Sequence, residues 1–245
     1  MTSTLLLHQG GQECSLEDLR DIPLPVETRS YKPVSHYDLA LNIARVAGDL
    51  LSGFSLHKSV FGTARLGAQL FGVLTFKNVH TELGLSIALR NSYDKSLSVG
   101  MAFGASVFVC DNLALHGEVL KIRKHTTNVM ADLEMMIITG VLKARTNYGS
   151  VVQDAERMKE IDLVDDGAYR ALGHLFGHKV LSPRQMPVAL EEWKSPSHPE
   201  FEPRTLWSLY NAVTEALKSS PPQSILERHI QLHAHLLPNQ ERWSA

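Results

Sequence analysis

Between Leu83 and Thr126 the chain gathers the side chains best suited to chemistry: Arg90, Asn91, Asp94, Asp111, Asn112, Lys121, Arg123, Lys124 and His125. An arginine fork pairs with phosphate or carboxylate, and asparagine can hold a backbone or a base edge. Arg90, Asn91, Asn112, Lys121, Arg123 and Lys124 are therefore the candidate nucleic-acid contacts. Two carboxylates and an imidazole suit metal-assisted or acid–base work on a phosphate, which makes Asp94, Asp111 and His125 the candidate catalytic groups. A plainer use exists for the same residues. Asn91 and Asp94 are turn formers, and Asp111 can pair with Arg90 or Arg123.

Such residues need a sheet to carry them, and the pattern supplies one. Leu83, Leu85, Ile87 and Leu89 alternate with Gly84, Ser86, Ala88 and Arg90, the period of a strand with one face on a core. Ser92 to Lys95 has turn chemistry. Leu97, Val99, Met101 and Phe103 then alternate with Ser96, Ser98, Gly100 and Ala102. Val107 to Cys110 is apolar on both faces, as in a covered central strand. Val119 to Lys124 alternates again and puts Lys121 and Arg123 on one side. The polar residues fall at strand ends, so adjacent strands are expected to assemble them into a cationic cluster with two carboxylates. The second face of the first two strands is nearly all Gly, Ala and Ser. Either a helix packs tightly there or a polymer lies across the sheet near Arg90.

The run RNSYDKSLSVGMAFGASVFVCDNLALHGEVLKIRKHT, with WSLYNAVTEALK at Trp207 to Lys218, resembles the phage/plasmid-like family known as domain of unknown function DUF932. The family's motifs fall on Arg90, Asn91, Asp94, Cys110, Asn112, Arg123, His125, Thr126 and Asn211 to Glu215. The likeness runs from Tyr31 onward. It implies a product of phages, plasmids or integrated elements and brings no activity with it.

Composition narrows the classes. The chain has 245 residues, 44% hydrophobic and 20% charged, enough to bury a large core. A formal net charge of −2 leaves no global basic field, so any nucleic-acid binding must come from a local patch. Cys14 and Cys110 are too few for a disulfide framework or a zinc site. No signal peptide or membrane-length apolar run is evident, and a cytoplasmic compartment is the expectation. His174/His178 and His229/His233/His235 contain i, i+4 pairs, but no acidic residue sits between them in the zinc-protease arrangement. We read them as chance pairs among 12 histidines and expect no metal and no cofactor. There is no Walker loop and no G-x-S-x-G elbow.

The flanking elements read clearly. Residues 1–34 form an adaptor in which Ser15 and Asp18 cap a short helical turn. Residues 35–160 form an α+β core. Ser35 and Asp38 start its leading helix, with a stripe of Leu39, Ile43, Val46, Ala47 and Leu50. Strands are expected up to Gly62 and within Leu66 to Phe76. Val129, Leu133, Met136, Ile137, Val141 and Ala144 begin a long helix that continues to Met158, with Tyr148-Gly149 as a kink site. Met130, Met135 and Met136 fit core filling better than a partner surface. Residues 161–245 read as a helical subdomain, with Ser182-Pro183 as a cap and Lys194 to Pro203 as a linker. Asn211 and Glu215 share one helix and can support the site from there.

The predicted fold is α+β: a curved antiparallel β-meander with a leading helix, a long helix packed across the sheet and a helical C-terminal part. This order resembles that of single-strand annealing proteins of the Rad-fifty-two type, an analogy at fold level only. The functional expectation is a mobile-element protein that binds or anneals single-stranded DNA through a local basic patch. The alternatives are a protein-interaction factor, such as a phage counter-defence protein with a host partner, and a metal-dependent phosphate-handling enzyme. Self-association through a sheet edge is a further expectation.

Overall fold

The structure is a computed structural model that describes residues 11–78, 83–108, 112–122, 129–221, 223–237 and 243, with backbone alone for 116–122. The alternating sequences build one six-stranded antiparallel sheet whose spatial order is the chain order. The strands are β1 (Gln12–Cys14), β2 (Ser55–Ala64), β3 (Gln69–Lys77), β4 (Leu83–Ser92), β5 (Val99–Val107) and β6 (Leu113–Ile122). From β2 to β6 only short connections join neighbours, as an antiparallel meander allows. Arg65, Leu66 and Gly67 make one such turn with positive φ, at 52°, 56° and 85°.

Two local features differ from the sequence pattern. The N-terminal segment adds an edge strand, with Gln12 to Cys14 paired to Thr63 to Phe61. Val107 to Cys110 is not a strand of its own. β5 ends at Val107, whose N–H donates to the Asn112 carbonyl (2.9 Å), and Phe108 already lies in the turn. Val109 and Cys110 lie outside the described residues.

Helices cover both faces. α1 (Leu16–Asp21) starts at a reciprocal capping box between Ser15 and Asp18. α2 (His36–Leu50) starts where Ser35 Oγ accepts from the Asp38 N–H. α3 (Val129–Lys159) lies with α2 on the large-residue face, against Leu85, Ile87, Leu89, Met101 and Phe103. It continues unbroken through Tyr148-Gly149. Tyr148 packs edge-on to Phe54 and donates its hydroxyl to the Leu83 carbonyl, while a Cβ at Gly149 would meet nothing. The expected break is therefore not there. Gly140 instead does the close packing: a Cβ there would lie 2.2 Å from the tip of the Phe103 ring.

The C-terminal helices are α4 (Asp165–Gly177), α5 (Met186–Lys194), α6 (Leu206–Leu217) and α7 (Ile225–Leu236). α5 starts three residues after the predicted cap pair. Ser182 uses its N–H and hydroxyl on Gln185 Oε1, and Gln185 stands at the N-cap position. The predicted linker is a packed connection. It contains a 3-10 turn at Pro199–Phe201 with Phe201 buried, and the Arg204 guanidinium lies 4.6 Å over the Trp193 ring. α7 crosses to the small-residue face, where Ile225 and Leu226 pack with Ala88, Ala102, Leu113 and Leu115. The Gly/Ala/Ser face thus exists largely to seat a helix. No described helix is long and apolar enough to cross a membrane.

Candidate functional site

The meander decides which polar residues can meet. β4 runs toward Arg90, Asn91 and the Asp94 turn, β5 runs back, and β6 starts at the opposite end. Eight steps of β5 separate the two ends by about 27 Å. Asn112 therefore cannot join Arg90, and the expected convergence of all the strand ends does not occur. Lys121 is in register with Gly100, which is in register with Arg90, so those two stand two strands apart in one row. The Lys121 side chain, and Asp111, Arg123, Lys124 and His125 entirely, lie outside the described residues.

Arg90 is 4% exposed and its guanidinium is committed. Nη1 donates to Glu227 Oε2 and Nη2 to Glu227 Oε1, both at 2.8 Å, and Nη1 also donates to the Gln223 carbonyl (2.9 Å). A two-pronged carboxylate pair occupies the fork that a phosphate would need. Asn91 is fully buried and equally committed. Its amide donates to the Val34 carbonyl (2.7 Å) and to His36 Nδ1 (3.0 Å), and its oxygen accepts from the Ser92 N–H (2.9 Å). With Nδ1 accepting, His36 donates through Nε2 to the Gly67 carbonyl (3.0 Å) and stacks 3.8 Å from the Tyr93 ring. Burial lowers the His36 pKa to about 4, so this ring is neutral.

Asp94 organises its turn. Oδ2 accepts from Arg65 Nη1 (3.3 Å) and Gln69 Nε2 (3.2 Å), and Oδ1 accepts from the Ser96 N–H (2.9 Å) and hydroxyl. Burial works against this carboxylate, but the Ser96 and Ser92 hydrogen bonds and Arg65 outweigh it and hold its pKa below the ordinary value. At the other end of the sheet, Asn112 Nδ2 donates to Asn211 Oδ1 (3.0 Å), and Asn211 Nδ2 donates to the Trp207 carbonyl (2.9 Å). Asn211 thus supports a strand end, though not the Arg90 end. Glu215 accepts from Lys218 Nζ on its own helix (2.5 Å). Among the described residues, Arg90, Asn91, Asn112 and Asn211 are buried fasteners between elements.

An open site lies at the Asn112 end. Phe108 is half-buried there, and the Lys77 ammonium sits 5.6 Å over its ring with the His57 ring edge-on at 5.1 Å. Phe108 also lines a groove of about 680 Å³ with Leu83, Val107, Lys159, Phe201 and Trp207. That volume falls among small-ligand clefts, about 300–1,000 Å³. Thr205, the N-cap of α6, lines it too. The sequence signal was Phe108 at the end of an alternating strand, masked by the apolar Val107 to Cys110 run.

The histidines divide. His229 is buried, with Nδ1 donating to the Leu113 carbonyl (3.0 Å), and burial lowers its pKa to about 4. His233 Nε2 donates to Asp154 Oδ2 (3.3 Å). His174, His178 and His235 come together across α4 and α7, with one ring nitrogen from each within 4.8 Å of the others. They are the described side chains with the geometry to hold a metal ion.

No curated protein and no solved structure matches the chain. The family model for the domain of unknown function DUF932 matches residues 29–236, from the bridge before α2 to the end of α7, and the chain belongs to that family.

Proposed function

We propose that the protein binds single-stranded nucleic acid at the end of the sheet marked by Phe108, and not through Arg90. The observation that carries this reading is the half-buried Phe108 ring, flanked by Lys77 and His57, at an apolar groove whose Lys159 pairs with Glu156 (2.8 Å). Aromatic rings bordered by cations bind strands without needing a basic molecule, because bases stack while ammonium groups meet phosphates. This fits a chain with a formal net charge of −2. The test is fluorescence anisotropy with a labelled single-stranded oligonucleotide at low salt. Binding that weakens steeply with salt and is reduced by Phe108→Ala supports the reading. No binding at low salt removes it.

A second reading, a protein-interaction factor with a host partner, is favoured by the outer side of α3. Met136 is buried, but Met130, Met135 and Leu142 are 45%, 65% and 47% exposed. Of these, Met130 lines a groove of about 360 Å³ between α3 and α2, together with Asn42, Arg45 and Glu134. Methionines on an open surface adapt to partner helices. Pull-down from host lysate tests this reading, with capture lost in Met130→Glu/Met135→Glu. Capture unchanged in that variant counts against it.

A further inference from the structure

We propose that His174, His178 and His235 form a site for a borderline divalent transition-metal ion, with Zn²⁺ as its reference ligand, which clips the end of α7 to the end of α4. Three observations carry it. His174 and His178 are four residues apart, and the His178 N–H still donates to the His174 carbonyl (3.0 Å). The helical path therefore continues to His178, and both rings share one face with centroids 4.3 Å apart. The next-to-last residue of α7, His235, supplies the third ring, 5.1 Å from His174 and 4.4 Å from His178 between centroids.

One pair of nitrogens already has the spacing of a metal site and the third is near it. Four ligands at about 2.0–2.1 Å around Zn²⁺ stand roughly 3.4 Å from one another. His174 Nε2 and His235 Nδ1 are 3.2 Å apart, and all three nitrogens lie within 4.8 Å. His178 is exposed, so its side chain has room to rotate across the remaining gap. His174 and His235 are half-buried, and the buried Trp243 ring stands 5.4 Å from His174 as an apolar wall. Three protein ligands leave the fourth position on the solvent side for water or a further ligand. Imidazole nitrogens without a carboxylate suit Zn²⁺, Cu²⁺ or Ni²⁺ and discriminate against Mg²⁺ and Ca²⁺.

The plainer account is a hydrogen-bonded His174–His235 pair with His178 merely nearby. Titration calorimetry of the full chain separates the two, with any affinity tag removed and the protein cleared of metal by a chelator. Zn²⁺ is expected to bind with one equivalent per chain, and Mg²⁺ and Ca²⁺ are expected to give no heat. Affinity for Zn²⁺ should fall at least tenfold in His178→Ala, whose exposed side chain the fold does not need, and in His235→Ala. His198→Ala, outside the cluster, should bind as the parent does. Absence of Zn²⁺ binding, or binding undiminished in both His178→Ala and His235→Ala, overturns the proposal.

Discussion

Arg90 of β4 and Glu227 of α7, 137 residues apart in sequence, meet as a two-pronged ion pair with both contacts at 2.8 Å. The guanidinium is sealed between sheet and helix, whereas the Glu227 side chain keeps 30% of its surface in water. The pair therefore acts as a fastener, and its loss from one side strands a buried cation.

Glu227→Ala should destabilise the protein by about 2–3 kcal/mol. This lies at the low end for a broken buried pair because the carboxylate is partly hydrated. Adding Arg90→Met to that variant should recover part of the loss, since no unpaired charge then remains. Urea unfolding measures both. A Glu227→Ala protein as stable as the parent contradicts the fastener.

Acid should weaken the fold through His36 and His229, whose pKa values burial lowers from 6.5 to about 4. The unfolded chain binds their protons first, so their contribution is complete above pH 6.5 and is lost as pH falls toward 4. Each accounts for about 3 kcal/mol over that window. Unfolding free energy measured from pH 7 to 4 should drop accordingly, and His36→Gln should flatten the curve. A flat parental profile rules this out.

Gly140→Ala tests the seat of α3 on the sheet. Alanine is worth about 1 kcal/mol more than glycine inside a helix. Here its Cβ runs into the Phe103 ring, and overpacking of that kind costs about 1–3 kcal/mol. The variant should therefore be less stable than the parent, and Phe103→Leu should compensate in the double variant. Thermal unfolding that shows Gly140→Ala stabilised refutes this packing.

Lys77→Ala should lower the dependence of single-strand affinity on salt by about one released counterion. Phe108→Ala should weaken binding by about 1–3 kcal/mol at every salt concentration, the loss of one stacked base. Anisotropy titrations at several salt concentrations separate the two. Parallel salt plots for Lys77→Ala and the parent place the phosphate contact elsewhere.

Much of the fold was readable because burial on one face writes a period into the chain. Leu83 to Leu89 and Val99 to Phe103 alternate since they face α2 and α3, and the stripe from Val129 to Met158 is the face α3 turns inward. Other parts left no such trace. Gln12 to Cys14 is an edge strand of three residues, too short to show a period. The partner of Arg90 was not legible because Glu227 lies on a helix packed on the opposite face from α3, and spacing along the chain carries no sign of that contact. His235 likewise joins His174 and His178 only because α7 lies against α4. The strand ends misled for a topological reason. Alternate turns of an antiparallel meander lie at opposite ends, which puts Asn112 far from Arg90 whatever their chemistry suggests.

The Arg90–Glu227 fastener also orders events during synthesis. Five strands can pair through neighbouring turns while the ribosome is still working, but the cation on β4 stays uncovered until residue 227 has emerged. A chain stopped before Ile225 lacks both the carboxylate that answers this charge and the helix that covers Ala88 and Ala102.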